Sequence, residues 1–389
     1  MVKCYLKRTR DSRVRSGHPW IFRSDIERVE GAFTPGDVAE VRSANGTFLG
    51  RAFYNPNSQI SLRMLTQHDE SIDGDFFLKR VQEAWAYRKL LCDTQSCRAV
   101  YAESDFLPAL IVDKFSGVLV MQCLCLGMEK WKHTLTDILV QVIQPQGIYE
   151  RDDVPVRRLE GMEQVTGLLY GQVPDRVEMR ENGILFSVDV REGQKTGFFL
   201  DQKENRAAIA PFCPGARVLD CFCHNGSFSL HAAKYGAQSV LGVDISQEAL
   251  DVAQGNAQAN GFGQVRFEAH NCFDHLRALT EAKEQFDLVI LDPPAFTKTR
   301  SAVESALRGY KEINLRGLRL VKPGGFLVTC SCSQHVHSDM FIDMFNQAAR
   351  DARRKVRMVE FRTQGHDHPI LPAAPETQYL KCIIAQVLL

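Results

Sequence analysis

Twelve cysteines are spread along a chain of 389 residues, and Cys332 stands where a thiolate could react. The apolar run Phe326–Cys330 reads as a strand that ends in Thr329-Cys330-Ser331-Cys332-Ser333, which puts sulfur at a strand end. A thiolate there could add to C6 of a pyrimidine and turn the otherwise unreactive C5 into a carbanion able to take up a methyl group. Loss of the C5 proton would then expel the cysteine. A carboxylic acid near N3 would assist by hydrogen-bonding the developing charge, a role open to Asp292. Asp292 begins the run Asp292-Pro293-Pro294-Ala295-Phe296, whose paired prolines set a rigid turn and whose Phe296 could stack on a flat ring. Such a turn suits methyl transfer to heterocycles. Cys332 is the expected nucleophile, with Cys330 the weaker candidate.

Two more acids fall at predicted strand ends. Asp220 begins Asp220-Cys221-Phe222-Cys223-His224-Asn225-Gly226, where Gly226 lets the backbone pass close to a ligand. Asp244 ends Gly242-Val243-Asp244 about 20 residues on, the usual place for an acid that accepts both hydroxyls of a ribose. The G-x-G-x-x-G fingerprint of dinucleotide binding is missing. An acid where a phosphate cradle would stand suits a cationic ligand without phosphate, and S-adenosylmethionine (SAM) is of that kind.

The elements that must position these residues follow from the pattern after Arg217. Apolar strands (Arg217–Cys221, Ser239–Ile245, Val265–Ala269, Asp287–Leu291 and Phe326–Cys330) alternate with helices, Ser246 being a plausible N-cap, and two further strands close the chain. This predicts an α/β, Rossmann-like, doubly wound sheet with helices on both faces over residues 181–389, its ligand site at the carboxyl ends of the strands. Residues 1–72 predict a β-rich module with an Asn45-Gly46 hairpin, and 73–180 a middle α+β domain.

No segment approaches the ~20 apolar residues of a membrane helix, and no signal-peptide core opens the chain, so a cytoplasmic protein without membrane contact is expected. C-x-x-C spacing does not occur, which gives a zinc site no support, so no metal is expected. Of the three C-x-C pairs, Cys123/Cys125 predicts thiols packed on one strand face, while Cys221/Cys223 and Cys330/Cys332 fall at strand ends beside other signals. Lys+Arg and Asp+Glu balance at 47 each, but residues 1–28 hold eight basic residues against three acids, residues 298–322 seven against two, and residues 350–362 six against two. Grouped in this way, the basic residues suit a polyanion.

At His18-Pro19-Trp20-Ile21-Phe22, Lys195-Thr196-Gly197-Phe198-Phe199-Leu200-Asp201-Gln202, Ser331-Cys332-Ser333 and the D-P-P-A-F turn, the chain resembles the RlmI-type family of SAM-dependent methyltransferases, which make 5-methylcytosine in 23S rRNA. The resemblance spans essentially the whole chain and implies a PUA domain, a middle domain and a class I methyltransferase domain. It implies SAM contacts from Phe199, Gln202, Asp220, Phe222, Gly226, Asp244, Asn271 and Asp292. It also implies a 23S rRNA or large-subunit assembly intermediate as partner, met by Arg8, Arg10, Arg13, Arg15, Phe296 and Lys298, and a homodimer. The chain departs from double-cysteine RNA methyltransferases at Pro294-Ala295, where those carry a second cysteine for product release. Two other readings stay open: methylation of a guanine nitrogen with both cysteines structural, and a non-catalytic RNA-binding assembly factor.

Overall fold

The computed structural model describes residues 1–388 and divides into two compact units. The first comprises residues 1–179, 188–200 and 366–377, and the second 180–187, 201–365 and 378–389. No described helix is long and apolar enough to cross a membrane.

In the first unit a six-stranded sheet runs from Val2 to Thr66, with the Asn45-Gly46 turn joining Asp37–Arg42 to Phe48–Tyr54 in antiparallel register. The sequence reading missed its strands Trp20–Ile21 and Ile26–Glu30, which are too short or too exposed to show an apolar alternation. Asp73 caps the helix Gly74–Leu91 by accepting from the Phe76 amide at 3.0 Å. A five-stranded sheet follows, and three of its strands (Ser96–Tyr101, Gly147–Arg151 and Thr166–Gly171) also escaped the reading because charged and glycine residues break their periodicity. Phe53 of the first sheet stacks on Phe77 at 6.5 Å, and the buried Arg63 pairs with both Glu103 and Glu160.

The second unit holds the seven-stranded sheet. Its strands are β1 (Arg217–Cys221), β2 (Ser239–Asp244), β3 (Val265–Ala269), β4 (Phe286–Leu291), β5 (Val321–Ser331), β6 (Val356–Arg362) and β7 (Lys381–Val387), in the order β3-β2-β1-β4-β5-β7-β6. The first five are parallel, whereas β7 runs antiparallel to both neighbours. The intervening helices are α1 (Ser227–Lys234), α2 (Gln247–Ala259), α3 (Cys272–Glu281), α4 (Val303–Leu320) and α5 (Ser338–Ala352). Ser246 caps α2 as expected, accepting from the Ala249 amide at 3.2 Å. Leu219, Val289 and Leu291 of the sheet pack with Tyr310 and Ile313 of α4 and Phe341 and Phe345 of α5 in one core. Strand order reverses between β1 and β4, so the crevice for a ligand opens at their carboxyl ends.

Cys123 and Cys125 pack in one core, as expected for that pair, and the second members of all three pairs lie past the strand itself. Cys125 lies beyond the strand ending at Cys123, Cys223 follows Phe222 in a left-handed conformation, and Cys332 lies one residue past β5.

Candidate active site

Asp220 leaves β1 fully buried. Its Oδ2 accepts from the Ser229 hydroxyl at 2.6 Å, while Oδ1 has no hydrogen-bond partner among the described residues. Burial, with smaller contributions from the negative charges of Asp292 and Asp244, pushes this carboxyl up to about 7. An unpartnered buried carboxylate oxygen is costly and calls for a donor or cation from outside the chain.

The loop after β1 is held in an unusual shape. Phe222, His224 and Gly226 have φ values of +64°, +49° and +75°, so two of its three left-handed positions carry side chains. A Cβ at Gly226 would lie 2.7 Å from the Phe267 ring and 3.0 Å from the Ala253 Cβ, which together with the φ restricts this position to glycine. The turn is tied down when the His224 amide donates to Asp244 Oδ2 at 2.9 Å, while Asp244 Oδ1 accepts from the Ser246 amide at 3.0 Å. Asp244 is thereby fixed at the end of β2 with lone pairs still available. Ile245 beside it is exposed, an apolar surface at the same edge that the sequence reading passed over; an isoleucine just after a strand-end acid was the available signal.

Asn271 caps α3, its Oδ1 accepting from the Phe273 and Asp274 amides at 2.9 and 3.4 Å, which leaves its amide nitrogen as the group to present to a ligand. Phe222 is half-buried, edge-on to Phe273 at 6.1 Å and to Phe296 at 6.5 Å. Phe296 also packs on Tyr310 at 4.5 Å, in a space that Gly309 keeps open: a Cβ there would come within 3.2 Å of the ring. Half of Phe296 is therefore committed to the core.

The ends of β4 and β5 are wired together. Asp292 Oδ1 accepts from Gln202 Nε2 at 2.8 Å, Gln202 Oε1 accepts from Asn205 Nδ2 at 2.7 Å, and Asn205 Oδ1 accepts from Arg362 Nε at 3.0 Å. Gln202, expected at the cofactor, thus spends both ends of its amide orienting Asp292 through Asn205 and Arg362. No local pattern announces that chain, because its members lie up to 160 positions apart in sequence order. Ser333 joins the two loops: its Oγ is 2.9 Å from the Tyr310 hydroxyl and accepts from the Thr297 amide at 3.4 Å.

Cys332 Sγ lies 4.0 Å from the Pro293 carbonyl, against the D-P-P turn. Cys332 and Cys92 are the two cysteines that are not buried. Cys330 is fully buried, and burial, the neighbouring Cys382 and the charge of Asp292 hold its thiol well above the ordinary range, which suits it to packing. Of the two candidates, Cys332 is the partly exposed one.

Phe199 belongs to the first unit, where the Lys195 ammonium lies 4.4 Å from its ring centre. Among the expected RNA contacts, Lys298 is exposed beside the D-P-P turn, and Arg8 is exposed with no ion-pair partner among the described residues. Arg10, Arg13 and Arg15 are exposed but matched by Asp25, Glu376 and Asp11. The two later basic segments divide between the two edges of the sheet, with Lys298 and Arg362 at the crevice edge. Arg319, Arg353 and Arg354 line, with Lys283, a recess of about 300 Å³ where α3, α4 and α5 end, at the amino-terminal edge of the sheet. There, cations sit favourably against helix carboxyl termini.

Residues 156–384 match the family described as S-adenosylmethionine-dependent methyltransferase, and residues 5–67 match a PUA-like domain. The chain is 42% identical over 388 residues to ribosomal RNA large subunit methyltransferase I of Alteromonas mediterranea, covering 98% of each. In fold it is similar to a SAM-dependent methyltransferase structure from Streptococcus mutans (TM-score 0.84, 20% identity) and to a methyltransferase structure complexed with SAH (TM-score 0.85, 20% identity), with full coverage of both chains in each case.

Proposed function

Since the chain belongs to the ribosomal RNA large subunit methyltransferase I family, with a PUA-like domain and a SAM-dependent methyltransferase domain, we propose that it methylates C5 of a cytosine in 23S rRNA through a covalent Cys332 adduct. SAM suits the residues present. The orphaned Asp220 Oδ1 and the pinned Asp244 carboxylate offer acceptors for a cationic, diol-bearing ligand, and the Gly226 turn lets such a ligand approach. Phe222, Asn271 and Ile245 would line its heterocycle. When bound, SAM supplies a methyl group on a positively charged sulfur.

This chain's own groups do the rest. Cys332 Sγ adds to C6 of the cytosine and makes C5 nucleophilic. Asp292, held by Gln202, hydrogen-bonds the N3 side as charge develops there. Loss of the C5 proton after methyl transfer returns Cys332 to the thiolate. Arg8, Arg10, Arg13, Arg15 and Lys298 would meet RNA phosphates, and the free side of Phe296 the target ring. The three-part division at 72/73 and 180/181 assigns RNA docking to the first part and chemistry to the last.

The observation that carries this reading is Cys332: a partly exposed thiol at a strand end, lodged against a rigid D-P-P turn. Cys332→Ala should keep SAM affinity within about twofold, lose transfer by ~10³-fold or more, and lose the RNA adduct that survives denaturation. Cys330→Ala should keep transfer. Full activity in Cys332→Ala would end the covalent mechanism. Nucleoside analysis of rRNA from cells lacking the gene should show a missing 5-methylcytidine. A missing methylguanosine would instead favour transfer to a guanine nitrogen, and no missing nucleoside would favour an assembly role.

A further inference from the structure

Lys381 opens β7 opposite Ser331, the last residue of β5. It is almost fully buried, and its Nζ donates to the carbonyls of Ser333 and Tyr379, each at 2.7 Å. Those two acceptors hold the amine at the backbone of the residue after Cys332, and its third position is uncommitted among the described residues. Tyr379 is itself anchored, its hydroxyl donating to Asp201 at 2.5 Å. A buried lysine with no carboxylate in contact is unusual, because the charged form loses its hydration without gaining a counter-ion.

We propose that Lys381 takes the proton of Cys332 Sγ and remains beside the resulting thiolate as its counter-ion. The S–H bond breaks with its electron pair staying on sulfur, and the proton forms a new N–H bond on the neutral amine. After methyl transfer, water takes the C5 proton, the C5–H electron pair restores the C5=C6 bond, and the S–C6 bond breaks with its pair returning to sulfur beside the waiting ammonium. Lys381 is thus a positioning residue that acts through Cys332. The assignment rests on the reading of Cys332 as nucleophile. It gives a physical reason for a thiolate in a crevice otherwise lined by acids, which would hold a thiol protonated.

The electrostatics agree. Burial pushes the Lys381 ammonium down to about 8, and the titratable group whose charge acts back on it is Cys332. Roughly one amine in ten is therefore neutral at pH 7, against well under one in a thousand for an ordinary lysine, and a thiolate formed beside it favours the ammonium in return.

The test is the pH dependence of alkylation of the full-length protein by iodoacetamide, read at the Cys332 peptide by mass spectrometry. The wild-type midpoint should fall below the ~8.5 of a free cysteine. A midpoint at or above that value overturns the proposal without recourse to any variant. In Lys381→Met the midpoint should rise by at least one pH unit, alkylation at pH 7 should slow about tenfold, and the acid limb of kcat/KM should move with it. An unchanged midpoint in a Lys381→Met protein that still binds SAM also overturns it. Should that variant fail to bind SAM, the wild-type midpoint decides. Nucleoside analysis separates the two claims, since a methylguanosine product would refute the C5 reading while the alkylation midpoint still reports on the pair.

Discussion

The carboxyl ends of β1 and β2 and those of β4 and β5 lie along one edge of the sheet, yet they are built in opposite ways. At β1 and β2 the chain gathers acids without supplying a cation: Asp220 is buried with one oxygen unsatisfied, and Asp244 is held by backbone amides alone. At β4 and β5 nearly every group is already tied: Asp292 to Gln202, Ser333 to Tyr310 and Thr297, and Lys381 to two carbonyls. The first region is electrostatically incomplete until a cationic ligand arrives. The second is fixed before any substrate binds, as preorganised catalytic groups must be to stabilise charge without reorganising.

The hardest break of this contrast is Asp220→Asn. It should weaken SAM binding by at least tenfold, as seen by calorimetry, while raising the melting temperature at pH 8. The sign follows from the carboxyl being raised in the folded chain. Its contribution to stability is fully present below the ordinary carboxylate range and is lost as pH rises to about 7, so above that pH the buried charge costs roughly 4 kcal/mol that asparagine avoids. SAM binding to the wild type between pH 6 and 7 should release a proton, measurable in buffers of different ionisation enthalpy. Equal affinity and stability in the variant would mean that Asp220 is not waiting for a ligand.

Gln202→Ala tests the other region. With Asp292 no longer held, kcat should fall by roughly tenfold while SAM affinity stays within about threefold. If SAM affinity falls instead and kcat holds, Gln202 serves the cofactor directly and the division between the two regions fails. The smallest effect is expected at Asn271→Ala, where loss of the α3 cap should cost about 1 kcal/mol in denaturant unfolding and SAM affinity should drop only a few-fold. Asn271→Asp keeps the capping oxygen but loses the amide donor, so stability should recover while affinity does not.

Much of this edge was legible from the residues. Alternating apolar strands and helices located Asp220, Asp244 and Asp292 at strand ends, because parallel strands buried on both faces leave continuous hydrophobic runs that stop where the ligand edge begins. The basic segments misled for a related reason. Residues 298–322 cover the whole of α4, so Lys298 lies at the ligand edge while Arg319 lies at the opposite one, and a sum along the sequence cannot tell the ends of a helix apart.

By itself the sequence determined the α/β class, the three strand-end acids, the rigid D-P-P turn and the pair of thiols proposed as nucleophile candidates, since all of these follow from local periodicity and residue chemistry. Only the tertiary structure decided which of the two thiols is buried, which carboxylate oxygen is left without a donor, and that Gln202 bonds Asp292 while Lys381 bonds the Ser333 carbonyl. Those choices depend on burial and on contacts between residues far apart in the chain, which are set when β7 inserts antiparallel beside β5.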